Sequence, residues 1–146
     1  MFLTKPYKLR TRQQAFTLIE VMVVVVILSI LAAFVVPKVM DRPDQARMAK
    51  ARQDIKAIES ALNLYRLDNY RYPSTDQGLQ ALVNKPANAS NWKQGGYLDR
   101  LPKDPWNRDY MYLSPGTKGE VDIYSMGADG QAGGEGVDAD IGNWME

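Results

Sequence analysis

Four carboxylates in a glycine-rich stretch near the C-terminus are the side chains best suited to chemistry in this chain of 146 residues. They are Asp129, Glu135, Asp138 and Asp140, and no basic residue follows Lys118. Oxygen ligands on a flexible loop are what Ca²⁺ requires, roughly six to eight of them from carboxylates, carbonyls and water. Spacing alone favours a calcium site and a solvated acidic loop about equally.

A second chemically distinctive carboxylate, Glu20, stands inside an apolar run. Residues 16–36 contain no other charge, and their number matches the ~20 residues that a helix needs to cross a bilayer. An unpaired charge in such a segment costs roughly 2.5–3.5 kcal/mol. We therefore expect the Glu20 carboxylate to have a partner.

The residues before the apolar run are basic. Lys5, Lys8, Arg10 and Arg12 occur without an acidic residue, so the positive-inside rule places this leader in the cytoplasm and everything after Pro37 across the membrane. The run fits a cleaved signal peptide, an uncleaved anchor or a segment processed before the run. Ala32-Ala33 is a poor signal-peptide cleavage site, which leaves the other two.

The composition excludes several classes of function. The chain has no Cys and no His, which removes disulfides, thiol nucleophiles, His general bases and the usual zinc sites. A net charge of +1 gives no overall attraction to nucleic acid. We expect one modest domain that is not an enzyme and does not bind nucleic acid.

The elements that position these carboxylates follow from the hydrophobic periodicity. Apolar residues recur at spacings of three and four along residues 38–72 and predict one stripe of a long helix, namely Met48, Ala51, Ile55, Ile58, Leu62 and Tyr65. We expect Ile55 to Tyr65 to pack on the rest of the domain, whereas the alternative for Met48 and Ala51 is contact with a neighbouring subunit. Pro73 ends that helix because the residue before a proline is driven to an extended conformation. Ser74–Gln77 supply caps for a short second helix through Leu82.

Two β-rich runs, residues 110–113 and 121–124, predict a hairpin with a long loop. The glycine-rich acidic segment follows the second run and leads to Trp144. The sequence therefore predicts an α+β fold, with a long N-terminal helix packed by a small antiparallel sheet and a C-terminal loop.

The N-terminal residues carry a resemblance to a known family. Ala15-Phe16-Thr17-Leu18-Ile19-Glu20 and the apolar run after it resemble the class III signal of type IV pilins and type II secretion pseudopilins. In that family a prepilin peptidase cuts before the Phe and the new amine is N-methylated. The resemblance implies cleavage between Ala15, where the family has Gly, and Phe16. It also implies that Glu20 pairs with the amine of a neighbouring subunit.

The later blocks narrow the resemblance to the major pseudopilins of type II secretion. They are Leu67-Asp68-Asn69-Tyr70-Arg71-Tyr72-Pro73, Gly95-Gly96-Tyr97-Leu98, Leu101-Pro102-Lys103-Asp104-Pro105-Trp106 and Ala139-Asp140-Ile141-Gly142-Asn143-Trp144. Adhesive type IV pilins commonly close this region with a disulfide, which a Cys-free chain cannot form. The implied fold is pilin-like, and the family holds one structural Ca²⁺ in the C-terminal loop.

The resemblance assigns roles to residues of that loop. Asp129 and Asp140 are the strongest side-chain ligands it implies, and the carbonyls of Met126 and Gln131 complete the shell. Asp138 is a further candidate, whereas Glu135 is the weakest of the acidic residues and is expected to be exposed. Bound Ca²⁺ would neutralise the tail and let Trp144 pack.

The family gives the expected organisation and function. Residues 1–15 are a cleaved leader, 16–37 a transmembrane and filament-core helix, and 38–146 a periplasmic globular domain that includes the amphipathic half of the helix. The mature chain is the major subunit of a periplasmic pseudopilus anchored in the bacterial inner membrane before assembly. Its expected partners are further copies in a helical filament, minor pseudopilins, the inner-membrane assembly platform and the prepilin peptidase. The alternatives are a membrane-anchored periplasmic calcium-binding module and a type IV pilus subunit.

Overall fold

The computed structural model describes residues 16–145, and for 35–42 only the backbone. The predicted leader and Ala15 lie outside the described residues. The chain forms two compact units, Met1–Met40 and Asp41–Glu146. One 52-residue helix, α1 (Leu18–Asn69), contributes residues to both. Among the described residues, no helix meets the length and apolarity required to cross a membrane.

In the first unit, the described side chains are those of residues 16–34, and all of them are exposed. Nearly every one is apolar, from Phe16 and Leu18 to Leu31 and Phe34. Ser29 donates its hydroxyl to the carbonyl of Val25 at 2.7 Å, so its polar group is satisfied within the helix. Within residues 16–34, none of these side chains is buried.

The second unit is organised around the predicted stripe of α1. Ala51, Ile55, Ile58, Leu62 and Tyr65 are all buried, and Met48 packs against them. The helical spacing of the apolar residues therefore identified the buried face correctly. Residues from the rest of the unit complete this core, chiefly Leu79, Leu82, Tyr110, Tyr112, Val121, Ile123 and Ile141.

The predicted second helix is shorter and of another type than expected. A 3₁₀ helix occupies Leu79–Leu82, while Ser74 and Gln77 hydrogen-bond each other in a separate turn. Gly78 lies between this turn and the 3₁₀ helix, and its φ is 61°. That left-handed conformation does not continue a helix, so the capping residues close a turn and the helix starts after it.

Three short strands form the antiparallel sheet, in the order β1 (Met111–Leu113), β2 (Asp122–Ser125) and β3 (Ile141–Gly142). Tyr112 lies opposite Ile123 in the hairpin that the sequence predicted. The third strand was not predicted, and it pairs Gly142 with Tyr124. Trp144 follows it and packs on Tyr124, with 5.6 Å between the ring centroids. The α+β class and the docking of the tail agree with the sequence.

Candidate functional site

The acidic loop is residues 126–140, and the pairing of β2 with β3 closes it. Ser125 is the partner of Ile141 in that antiparallel pair. The register therefore brings the first residue of the loop, Met126, beside its last residue, Asp140. Two of the five predicted ligand residues thus meet at the mouth of the loop, although they are 14 positions apart in the sequence.

Backbone hydrogen bonds fold the loop back on itself. The Ala128 N–H donates to the carbonyl of Val137 at 3.0 Å, and the Asp140 N–H donates to the carbonyl of Gly133 at 3.0 Å. Gly127 approaches the opposite segment closely, because a Cβ there would lie 2.5 Å from the carbonyl oxygen of Asp138. Its φ of 62° also favours glycine. The candidate ligands therefore occupy one compact substructure.

The Asp140 carboxylate has the environment expected of a cation ligand. Its Oδ2 accepts the N–H of Gly133 at 2.9 Å, whereas its buried Oδ1 has no hydrogen-bond partner. A buried carboxylate oxygen without a partner is costly. A hard cation coordinated by Oδ1 would remove that cost, so Asp140 fits a calcium ligand.

The other candidates differ in exposure. Asp129 is exposed, and its Oδ1 accepts the N–H of Gln131 at 3.0 Å. The carbonyl of Met126 accepts the N–H of Gly130 at 3.2 Å, which leaves a second lone pair available. Asp138 is half-buried in the 3₁₀ helix Gly136–Asp138. Glu135 precedes that helix and is exposed.

Within residues 16–145, no three acidic side chains are grouped as metal ligands. A cation in the loop would therefore need backbone carbonyls and water in addition to one or two carboxylates, which is normal for Ca²⁺. The ligand set of Asp129 and Asp140 with the carbonyls of Met126 and Gln131 stays a prediction.

Sequence reasoning missed two groups that fix the loop. Arg108 Nη2 donates to the carbonyl of Gly127 and places a positive charge beside the loop. The buried carboxylate of Asp104 accepts the N–H of Arg108 at 2.8 Å and the hydroxyl of Ser125 at 2.7 Å. Asp104 thereby links the turn that carries Arg108 to the end of β2. No spacing rule indicates these contacts, because they join segments that meet only in the folded chain.

The helix N-terminus is the second candidate site. The Thr17 N–H donates to Glu20 Oε2 at 2.7 Å, and the Glu20 N–H donates to Thr17 Oγ1 at 3.3 Å. This reciprocal pair is a capping box, and the Thr-x-x-Glu spacing before an apolar run is its sequence signal. Glu20 thus has a partner in its own chain, in addition to the amine of a neighbouring subunit that the resemblance implies. Phe16 precedes the box and is exposed.

Two family models match the chain, and together they span most of it. The model described as "Type II secretion system (T2SS), protein G" matches residues 38–144. The model described as "Prokaryotic N-terminal methylation motif" matches residues 10–36. The second match covers the capping box and the residues on either side of the predicted cleavage point.

The similarity to known proteins extends over almost the whole length of the chain. The type II secretion system core protein G of Pseudomonas aeruginosa is 62% identical over 138 residues, covering 92% of this chain and 97% of the relative. The Vibrio cholerae protein of the same name is 61% identical over 135 residues, covering 91% and 92%.

A solved structure is similar as well, the crystal structure of the major pseudopilin from the type 2 secretion system of enterohaemorrhagic Escherichia coli. It has a TM-score of 0.65 and 48% sequence identity, and the match covers 73% of this chain and 94% of that one. The similarity confirms the predicted pilin-like α+β fold class.

Proposed function

The chain belongs to the protein G family of type II secretion systems, and on that premise we propose that it is the major subunit of a periplasmic pseudopilus. The match to the protein G model over residues 38–144 carries the proposal. The methylation motif supports it, because it places a pilin-type processing signal before the globular unit. Polymerised copies of the chain form the filament that helps to move exoproteins through the outer membrane.

The apolar segment of α1 supplies the means of anchoring and assembly in this proposal. Its side chains from Leu18 to Phe34 are exposed, so they need an apolar environment outside the chain. Before assembly that environment is the inner membrane, which the segment crosses once with the globular unit in the periplasm. In the filament it is the packed segments of other copies. The energy of extraction comes from the assembly machinery.

The proposed partners follow from the same pathway. A prepilin peptidase removes the leader, an inner-membrane platform assembles the subunits, and minor pseudopilins share the filament. Each of these partners must recognise the chain by its N-terminal segment or its globular unit. We propose that Phe16 becomes the methylated N-terminus and that Ala15 occupies the small-residue position of the peptidase site.

Processing gives the direct test of this function. In cells that contain the prepilin peptidase, we expect a product of residues 16–146 that carries one added methyl group at Phe16. Removing the four basic leader residues from the 18 of the chain leaves 14 against 17 acidic residues, so the net charge changes from +1 to −3. Intact mass and N-terminal sequencing of protein from membranes measure both changes.

Variants at the cleavage position provide the control. Ala15→Gly removes the methyl group and restores the family residue, so it should be processed at least as completely as the parent chain. Ala15→Leu enlarges the side chain and should leave the leader attached. A functional parent protein that retains Met1 would contradict the assembly proposal and favour a plain anchored module.

The loop of residues 126–140 holds a structural Ca²⁺ in this proposal. The partnerless buried Oδ1 of Asp140 supports it, as does the strand register that brings Met126 beside Asp140. The carbonyls of Met126 and Gln131 are the proposed backbone ligands. Asp129 supplies the second carboxylate in this proposal, and Asp138 is the alternative to it. The ion would neutralise acidic side chains in a region that has no basic residue after Lys118. Its contribution is to fix the loop and, through β3, the packing of Trp144.

Calcium removal should lower the thermal stability of the full chain in detergent. Because a ligand that binds only the folded state stabilises it by about 2.7 kcal/mol at a concentration of 100 Kd, we expect Tm to fall by about 5–15 °C when EDTA replaces excess Ca²⁺. Differential scanning calorimetry measures the change. Trp fluorescence follows the tail in the same samples.

Asp140→Asn separates calcium binding from the loop's own hydrogen bonds. An amide oxygen can still accept the Gly133 N–H, but the ligand charge is lost. We expect the variant to lose most of the calcium-induced rise in Tm while its Tm in EDTA stays near that of the parent. Asp99→Asn, at an exposed position outside the loop, should keep the full rise. A parent chain with the same Tm in Ca²⁺ and EDTA would refute the calcium site.

A further inference from the structure

Arg108 occupies a position that is unfavourable for part of its own side chain. Its Nε is buried and has no hydrogen-bond partner, and a buried donor without a partner destabilises a fold. The charge beside it is the Asp104 carboxylate, with 3.7 Å between Arg108 Nε and Asp104 Oδ2. The far end of the guanidinium donates from Nη2 to the carbonyl of Gly127. The contact with the acidic loop is therefore what this placement of the side chain achieves.

Arg108 lies against the beginning of the acidic loop, residues 126–130, which we call the first turn. The Gly130 N–H donates to the carbonyl of Met126 at 3.2 Å and closes this turn. Arg108 Nη1 packs so closely on Gly130 that a Cβ there would collide with it. The guanidinium thus contacts the first turn at two places, the carbonyl of Gly127 and the backbone of Gly130.

The segment that carries Arg108 is itself held in place. The Asp104 N–H donates to the carbonyl of Arg108 at 2.8 Å, and the Arg108 N–H donates to Asp104 Oδ1 at 2.8 Å. The Ser125 hydroxyl donates to the other carboxylate oxygen, Asp104 Oδ2, at 2.7 Å. Because Ser125 directly precedes the loop, the buried Asp104 carboxylate fixes Arg108 and the start of the loop relative to each other.

The middle of the acidic loop is supported differently. Residues 131–136 are all exposed, whereas Gly127 in the first turn is buried. At Gly133 and Gly136, an added Cβ would meet no atom within 4 Å, so no other segment packs on these two residues. The fold therefore holds the first turn by side-chain contacts that the middle of the loop does not have.

We infer that Arg108 is a positioning residue for the cation site, because it holds the first turn, with the proposed ligands Met126 and Asp129, before the ion binds. The inference rests on the proposed calcium site and adds to it a basic residue from outside the loop. Ordering a backbone segment costs conformational entropy. Since Arg108 orders the first turn in advance, ion binding does not incur that cost, and the affinity for Ca²⁺ is correspondingly higher.

The positive charge of Arg108 has an opposing effect, because like charges repel and a cation is to bind nearby. The Asp104 carboxylate beside the guanidinium reduces that repulsion, and solvent reduces it further, since the Arg108 side chain is 35% exposed. Removing the guanidinium therefore weakens Ca²⁺ binding when positioning is the larger effect and tightens it when repulsion is. We expect positioning to be the larger effect, because Nη2 is bonded directly to the Gly127 carbonyl.

Arg108→Gln tests the inference in the full chain in detergent. The shorter, neutral side chain loses the contact with Gly127, so we expect the Kd for Ca²⁺ to rise by about tenfold, as when a group that orients a metal ligand is removed. Isothermal titration calorimetry with CaCl₂ measures the Kd. In EDTA, hydrogen–deuterium exchange of the first turn should become faster, while exchange of residues 51–65 of α1 should not change. A role in global stability alone would lower Tm without changing the Kd.

Lys103→Gln is the matched control, because it removes the same charge from an exposed residue that pairs with Asp109 at 2.7 Å. Its Kd for Ca²⁺ should equal that of the parent. Arg108→Lys keeps a cation and a donor, so its Kd should rise less than that of Arg108→Gln. A Kd at or below the parent value in both Arg108 variants would overturn the inference and leave the calcium site in place. A parent chain that binds no Ca²⁺ would overturn the calcium site, and the inference with it.

Discussion

Replacing Glu20 by Gln should abolish filament assembly while the subunit remains folded and processed. The carboxylate of Glu20 has two roles that this substitution separates. In its own chain it closes the capping box with Thr17, and a Gln side chain can also close such a box. In the filament we propose that its charge pairs with the methylated amine at Phe16 of a neighbour, and the neutral amide cannot replace that charge.

The size of the effect follows from the environment of the amine. Leaving an ammonium unpaired inside an apolar core costs about 3–5 kcal/mol, which corresponds to at least a 100-fold loss in the association equilibrium. Filament yield measured by shearing and immunoblotting should therefore fall below detection. The intact mass of the Glu20→Gln protein should still equal that of residues 16–146 with one methyl group.

Thr17→Ala is the complementary variant. It removes the hydroxyl that accepts the Glu20 N–H and weakens the start of α1 by about 1 kcal/mol, but it keeps the carboxylate charge. We expect reduced yet measurable assembly. If Glu20→Gln assembled normally and Thr17→Ala did not, the role of Glu20 would be capping within the chain and the pairing between subunits would be wrong.

The single substitution Asp122→Asn should cause a large loss of stability of the globular unit. Asp122 is 2% exposed, and both carboxylate oxygens accept hydrogen bonds from the loop before β2. The donors are the N–H groups of Thr117, Lys118 and Gly119 and the hydroxyl of Thr117, at 2.7–3.2 Å. Gly116 lets the loop approach, since a Cβ there would lie 2.6 Å from Asp122 Oδ1.

An amide of the same shape places its NH₂ group against these donors. The substitution therefore leaves buried donors unsatisfied without creating a cavity, and we expect the free energy of unfolding to fall by about 3–4 kcal/mol. Urea unfolding in EDTA at pH 7 measures the loss. Asp99→Asn, at an exposed position, should change stability by less than about 0.5 kcal/mol.

The stabilisation that the Asp122 carboxylate provides depends on pH, and the sign of that dependence is definite. Burial raises the pKa of the Asp122 carboxyl, but the hydrogen bonds from Thr117, Lys118 and Gly119 outweigh it and hold the pKa below the usual 3.8. A carboxyl whose pKa is lower in the folded state stabilises that state above its unfolded pKa. That contribution is lost as the pH falls from about 4 through the folded-state pKa.

The difference in stability between the parent and Asp122→Asn should therefore be largest at neutral pH and shrink below pH 4. Unfolding titrations at several pH values from 7 to 3 measure it. A difference that stays constant over this range would show that the ionised form of Asp122 is not what the loop stabilises.

The sequence predicted the parts of the fold that depend on local periodicity. The stripe from Ile55 to Tyr65 was assigned to the buried face because helical spacing determines which side chains share a face, and Ala51 is buried with it. The β-rich runs gave the hairpin. Pro73 gave only the approximate end of α1, because the helix ends at Asn69, where Tyr70 has φ 64°. The Thr17–Glu20 capping box was equally readable, since its signal lies within four residues, but it was overlooked in favour of a partner between subunits.

Other features depend on segments that meet only after folding. Strand β3 has two residues, too few to show an alternating pattern, and it exists because Tyr124 and Ser125 offer a free edge. The same pairing brings Met126 beside Asp140. Arg108 reaches Gly127 across the fold. A left-handed Gly78 replaced the expected second helix by a turn and a short 3₁₀ helix.

By itself, the sequence determined the long helix with its apolar and amphipathic parts and the acidic glycine-rich loop. It also excluded chemistry that depends on Cys or His, and it carried the family resemblance that the comparisons confirmed. All of these are properties of residue type and spacing along the chain. The tertiary structure alone decided that Asp122 and Asp104 are buried, that Asp140 keeps an unpartnered oxygen, and that Leu64, Leu67 and Tyr70 stay exposed. Burial and hydrogen bonding are set by which distant segments pack together, and spacing along one chain does not contain that information.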